Sequence, residues 1–339
     1  MSTSSSSNNS NNSPPGLENL YTRTPLLESL PLSNRHSRPI YLKLDALQPS
    51  GSFKDRGMSR LCTELARNNV TQFVSSSGGN AGHSAAYVGR RLGVPVKVIV
   101  PKTTKELMLT KIRSQGATVE VVGDNWNEAD EYARRLVEES GGECGYIPPY
   151  EHESLWAGHA TVVKEIVEDL GGVPPDAIVV SVGGGGLLCG VLEGLKDLLS
   201  ASRDGKKVTV VAAETKGADS FRAAWDAGTI VSLDGITSVA TSLGALSVSP
   251  TALSRAKEHR DEGRGGVESV VVRDEDAVRA CWDLAEGHRL LVEPACGAAL
   301  AALEGLRDVV EGNGPIVVVV CGGSAITPEM LQDYKKQYL

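Results

Sequence analysis

Eight short runs rich in β-branched residues alternate with longer stretches of helical spacing, and this alternation limits the chain to a small set of folds. Ile40–Leu44, Gln72–Ser75, Val96–Val100, Thr118–Val122, Ala177–Val182, Val208–Ala213, Val267–Val272 and Ile316–Val320 read as strands. Lys54–Arg67, Ala81–Leu92, Glu128–Glu139, Glu153–Leu170, Leu187–Leu199, Asp274–Glu286 and Pro294–Val310 carry helical periodicity and stop signals. Repeated βα units predict an α/β fold with parallel sheet. Ile316–Val320 is apolar throughout, the pattern of a strand with helices on both faces, so it is expected inside the sheet.

A chain of 339 residues exceeds the span of one average domain, which favours two α/β units. Met1 to Gly16 are almost wholly Ser, Asn, Pro and Thr, too polar to offset the entropy of ordering, and are expected to form a disordered tail. The net charge of -8 comes without a long basic run, which argues against nucleic acid and anionic membrane as partners. No apolar stretch is long enough to span a bilayer, and the N-terminus has no signal-peptide pattern, so a cytoplasmic protein is expected. The six cysteines form no Cys-x-x-Cys pair and are read as reduced thiols, five of them core fillers. His83, His152 and His159 lack metal-ligand spacing and read as structural, and the four tryptophans as core or interface anchors.

Four segments carry chemistry. In Pro49–Gly57 a turn leads into a helix beginning near Lys54. The positive end of a helix disfavours an ammonium and favours the nucleophilic amine, although a solvated surface lysine is the plainer reading of this segment alone. Ser75–His83 is a strand-to-helix junction rich in small residues and backbone donors, suited to an anion; an ordinary βα turn capped by Asn80 is the alternative. Gly183–Gly186 follows a strand and precedes a helix, so its backbone can wrap a phosphate. Leu187 and Leu188 stand where a nucleotide P-loop needs Lys and Ser, so a phosphate monoester on a cofactor fits better than a nucleotide. Cys321 lies at the carboxyl end of the interior strand, where ligands of open α/β sheets collect, though a buried cysteine is commonly packing. An amine able to form a Schiff base, two anion cradles and a soft neutral group make up an inventory for pyridoxal phosphate plus an amino acid.

These motifs resemble those of the fold-type II pyridoxal-phosphate enzymes, and specifically the eukaryotic L-serine dehydratase family. The resemblance runs from about Leu17 to Leu339 and extends to Tyr146–Tyr150, Trp156–His159, Ala213–Thr215, Ile236–Ala240 and Leu291–Ala299. It implies two open, twisted, mostly parallel sheets covered by helices, of the tryptophan synthase β-like kind. It further implies a larger cofactor domain formed by residues 17–46 and 148–339, with a smaller domain, 47–147, inserted.

The resemblance implies that Lys54 is the Schiff-base lysine and that Phe53 packs beside the cofactor ring. Asn80 would meet the ring hydroxyl, and Ser77, Gly78, Gly79, Asn80 and Ala81 the substrate. Gly183, Gly184, Gly185, Gly186 and Leu187 would hold the phosphate, and Cys321 would face the pyridine nitrogen. A potassium site is implied at Glu214, Ala218, Ser220, Leu243 and Ala245, and a homodimer by analogy. The implied reaction is dehydration of L-serine to pyruvate and ammonia, with L-threonine giving 2-oxobutanoate. Serine racemase and β-replacement enzymes of the cysteine synthase type share the fold, and a catalytically silent cofactor binder is the reading from another class. Cysteine synthases usually place Ser against the pyridine nitrogen. Serine racemases carry a serine where this chain has Gly78, so little racemisation is expected here.

Overall fold

A computed structural model describes residues 20–201, 205–306 and 309–339; the Ser/Asn-rich tail lies outside them. Its strands are β1 (Leu26–Glu28), β2 (Ile40–Lys43), β3 (Gln72–Ser75), β4 (Val96–Val100), β5 (Thr118–Val121), β6 (Cys144–Ile147), β7 (Ala177–Ser181), β8 (Thr209–Thr215), β9 (Val267–Val272) and β10 (Ile316–Val319). The helices are α1 (Leu30–His36), α2 (Lys54–Arg67), α3 (Asn80–Leu92), α4 (Glu106–Ser114), α5 (Trp126–Glu139), α6 (Glu153–Asp169), α7 (Gly186–Ala201), α8 (Ser220–Ala227), α9 (Pro250–Asp261), α10 (Asp274–His288), α11 (Pro294–Ala301) and α12 (Pro328–Tyr338).

The strands form two sheets, one of six in the order β1-β2-β10-β7-β8-β9 and one of four in the order β5-β4-β3-β6. Only the β1–β2 pair is antiparallel. The apolar run of β10 lies between β2 and β7 with every residue buried, as a strand covered on both faces must. The helix expected over Pro294–Val310 is shorter: α11 stops at Ala301 and a 3-10 turn, Ala302–Gly305, follows. Gly305 is a poor helix former, and it and Glu304 are exposed where the helix was expected to continue.

Helices α2, α6 and α7 pack at backbone distance. A Cβ on Gly57 of α2 would stand 2.6 Å from His159 Cε1, and one on Gly158 of α6 would stand 2.5 Å from the Arg56 carbonyl oxygen. Gly190 of α7 likewise leaves no room beside His159. Across the same seam the fully buried Arg56 guanidinium bonds Asp45 at 2.7 and 2.8 Å and Glu165 at 2.7 and 2.8 Å. Lys43, also fully buried, joins Glu165 at 2.9 Å. These contacts hold the start of α2, and with it Lys54, against the six-stranded sheet's helices.

Of the cysteines, Cys62, Cys189, Cys281, Cys296 and Cys321 are buried, whereas Cys144 is half-buried on β6 and is not a core filler. His152 caps α6 by accepting from Ser154 N, and Trp126 is exposed. None of the described helices is long and apolar enough to cross a membrane.

Candidate active site

Lys54 is the first residue of α2, and the turn before it is stitched to the loop after β10. Phe53 N donates to the Cys321 carbonyl at 2.9 Å, and Gly323 N donates to the Gly51 carbonyl at 3.0 Å. Sequence-distant Lys54 and Cys321 are thereby brought to one place. The Lys54 amine donates to the Pro149 carbonyl at 2.5 Å. Burial pushes its pKa down to about 8, because a charged ammonium loses hydration there. Phe53 lies beside it, with its ring 5.1 Å from the Lys54 nitrogen and 4.9 Å from the His159 ring.

The junction between β3 and α3 opens on Gly79, which has no side chain to cap the helix, so the first N–H groups of α3 are left without an internal partner. Ser77 Oγ accepts from Gly79 N at 3.3 Å, and Ala81 is buried behind them. Asn80 is the first residue of α3 rather than its cap. Its amide nitrogen donates to Glu293 Oε1 at 2.9 Å, while its buried Oδ1 has no partner. Gly78 is closely covered: a Cβ there would meet Thr104 Cγ2 at 2.6 Å and Thr104 Oγ1 at 2.8 Å.

The second cradle, Gly183–Gly186 with buried Leu187, joins β7 to α7. Gly185 has φ +91, a left-handed conformation that glycine adopts without steric cost. A Cβ on Gly184 would sit 2.4 Å from the Tyr150 ring, and one on Gly183 would sit 2.9 Å from Leu243 Cα. The loop is thus pressed between Tyr150 and Leu243 and offers backbone rather than side chains.

Cys321 is 7% exposed, with its sulfur 3.7 Å from Ser181 Oγ. The neighbouring Cys296 thiol and burial push the Cys321 thiol well above its ordinary range, so it is neutral.

Residues proposed for a cation fall into two groups. Glu214 near the end of β8, Ala218 in the turn that follows and Ser220 at the start of α8 form the first. Fully buried Glu214 accepts from Phe221 N and Arg222 N, both at 2.8 Å, and no Lys or Arg among the described residues pairs with it. Burial pushes its carboxyl up to about 8, and the buried Ser220 hydroxyl has no partner. Leu243 and Ala245 stand on another loop, where Ala245 N donates to the Leu243 carbonyl at 2.7 Å. Among the described residues, no group of three or more His, Cys, Asp or Glu could hold a metal. Such a site would therefore draw on carbonyl and hydroxyl oxygens, suited to a hard cation.

Sequence reasoning named no role for Tyr150, Thr104 or Glu293. Tyr150 and Glu293 both stood inside motifs quoted above; Thr104 gave no signal, because its position beside Gly78 arises only from the fold. A separate cavity of about 600 Å³, lined by Val270, Val272, Arg279, Leu284, His288 and Leu300 among others, shares no residue with this site.

Residues 17–322 match the family described as pyridoxal-phosphate dependent enzyme. The chain belongs to that family. It is 44% identical to the human L-serine dehydratase/L-threonine deaminase over 328 residues, spanning 94% of this chain and 96% of the human one. It therefore falls in the L-serine dehydratase branch. The crystal structure of a fungal L-serine ammonia-lyase from Rhizomucor miehei superposes with a TM-score of 0.84 at 36% identity, covering 94% of this chain and 99% of that one. Maize serine racemase has the same fold, with a TM-score of 0.81 at 24% identity over 94% of this chain and 93% of that chain.

The residues present fit the cofactor of this family. They supply a buried amine of lowered basicity, a side-chain-free cradle at a helix N-terminus, and an orphaned buried acceptor on Asn80.

Proposed function

We propose that the protein is a pyridoxal-phosphate-dependent L-serine dehydratase that releases pyruvate and ammonia, and that it converts L-threonine to 2-oxobutanoate. The observation that carries this reading is the buried Lys54 amine, held near neutrality at the head of α2 in a chain closely similar to dehydratases. When bound, the cofactor supplies an electron sink for negative charge at the substrate Cα.

The chain's own residues do the rest. Lys54 would hold the cofactor and, as a free amine, would take the Cα proton as general base; a pKa near 8 suits that exchange. Ser77, Gly79, Asn80 and Ala81 bind the substrate carboxylate at the open N-terminus of α3. Gly183 to Leu187 hold the phosphate monoester. The neutral Cys321 thiol would face the ring nitrogen without the charge a carboxylate would bring, which would favour elimination over transamination. Gly78 itself brings no side-chain donor to the cradle, which disfavours racemisation.

Three finer assignments accompany this reading. Potassium at Glu214, Ala218, Ser220, Leu243 and Ala245 is supported by a buried carboxylate with no cationic partner. Residues 47–147 form a smaller domain within a larger one built from 17–46 and 148–339; β3 to β6 fall inside these limits and the other strands outside. The chain forms a cytoplasmic homodimer, which light scattering and cell fractionation test. Measuring 2-oxoacid release from L-serine, L-threonine and their D-isomers tests the main reading: no pyruvate from L-serine would overturn it.

A further inference from the structure

Glu293 has no part in the scheme above, yet it touches three loops of the site. It stands just before Pro294 at the head of α11 and is 4% exposed. Its Oε1 accepts from Asn80 Nδ2 and from Ala325 N, each at 2.9 Å, and its Oε2 accepts from Ser242 Oγ. Its backbone is anchored as well, through Glu293 N to the Gly322 carbonyl at 3.3 Å and Cys281 Sγ to the Glu293 carbonyl at 3.2 Å.

A carboxylate only accepts hydrogen bonds, so it can meet Asn80 only at the amide nitrogen. The opposite end, Oδ1, then faces away from Glu293, where it is buried without a partner. Left to itself a primary amide can turn over and exchange its donor and acceptor ends, since the two are nearly equal in shape. The bonds from Ser242 and Ala325 hold the carboxylate in one rotamer and so deny Asn80 that freedom.

We propose that Glu293 is a positioning residue that fixes the Asn80 amide with its acceptor end toward the ring hydroxyl of the bound cofactor. The inference rests on the cofactor reading given above. Its action is geometric: reach and acceptor character matter, and the negative charge does not. A glutamine at 293 can still accept from Asn80 and Ala325 with its oxygen while its nitrogen donates to Ser242. An aspartate keeps the charge, and is a favoured helix cap, but is one methylene too short to reach Asn80.

The test compares Glu293→Asp and Glu293→Gln, each as the full-length holoenzyme. The readouts are the visible absorption band of the bound cofactor, the affinity of the stripped chain for added pyridoxal phosphate, and kcat and KM separately. Glu293→Asp is expected to change the band and weaken cofactor affinity by about fivefold, the effect of one lost hydrogen bond. Glu293→Gln is expected to keep the parent band and stay within about twofold in affinity. A parent-like Glu293→Asp would overturn the proposal, and so would a Glu293→Gln as impaired as Glu293→Asp, because charge would then be the operative property. Lys54→Ala is the independent control: if that variant keeps the band, the cofactor reading itself fails, whatever the Glu293 variants do.

Discussion

Buried charge centres of two kinds lie in and around the site and differ in one respect. Around Arg56 the chain supplies every partner: Asp45 and Glu165 face the guanidinium, and Lys43 meets Glu165 from the other side. At Glu214 and Lys54 it does not. Among the described residues, the hydrogen bonds to Glu214 come from backbone N–H groups and that of Lys54 goes to a backbone carbonyl, with neither in an ion pair. Both of these are shifted from their ordinary ionisation chiefly because burial strips water from the charged form, and no ion pair offsets the loss. The complete centre is architecture. The incomplete centres are where the proposed cofactor and cation would bind.

The largest effect should come from the incomplete side. Lys54→Ala is expected to abolish turnover and the visible band together, since no other amine occupies that position; serine-dependent pyruvate formation by the variant would erase the distinction between the two centres. On the complete side, Arg56→Met leaves Asp45 buried without its cation and Glu165 with Lys43 alone. A loss of about 3–5 kcal/mol of stability is expected, read by denaturant unfolding of the holoenzyme, and an unchanged midpoint would show the cluster to be dispensable.

Glu214 sharpens the contrast through pH. Its folded-state carboxyl, at about 8, lies above the ordinary 4.5, so protonation favours the fold. That contribution is present in full below pH 4.5 and is lost as pH rises toward 8. Potassium would replace the proton as counter-charge. Its stabilising effect on Tm should therefore be larger at pH 8 than at pH 6, sodium should support less activity, and Glu214→Gln should abolish the difference. Equal Tm gains at both pH values would count against the site.

The smallest effect is expected at Gly78, where the cradle is already closed. Gly78→Ser must displace Thr104, so it should give only traces of D-serine from L-serine, and Gly78→Ser with Thr104→Ala should give more. Chiral analysis of the products decides this, and equal yields from the two variants would remove Thr104 from the account.

Where side-chain periodicity and glycine spacing carry the information, the sequence was legible. All eight strands read from it exist, and α2 spans the segment read for it, Lys54–Arg67. The three-residue edge strand β1 and the glycine-containing β6 were missed because neither is long enough to show a period. Helices α1, α4, α8, α9 and α12 were missed as well: the first three run only seven, nine and eight residues, too short to display a clear helical period, and α9 and α12 are rich in charged and polar residues. Within the site, the glycine cradles and Lys54 announced themselves by local composition. Thr104, Tyr150 and Glu293 did not, because their importance lies in which distant backbone they touch, as with Tyr150 against Gly184.

The two anion cradles belong to different sheets: Ser77–Ala81 follows β3 of the four-stranded sheet, and Gly183–Gly186 follows β7 of the six-stranded one. An amino acid joined to the cofactor would then act as a strut, its carboxylate bearing on one sheet while the phosphate bears on the other. On that proposal, a productive ligand would have to match the separation of the two loops in length as well as in charge. An amino alcohol without the carboxylate can load one end only, so it should bind the cofactor side yet transmit no tension across the cleft. On this view substrate choice is partly a measurement of span, made by the whole molecule rather than by any one pocket wall.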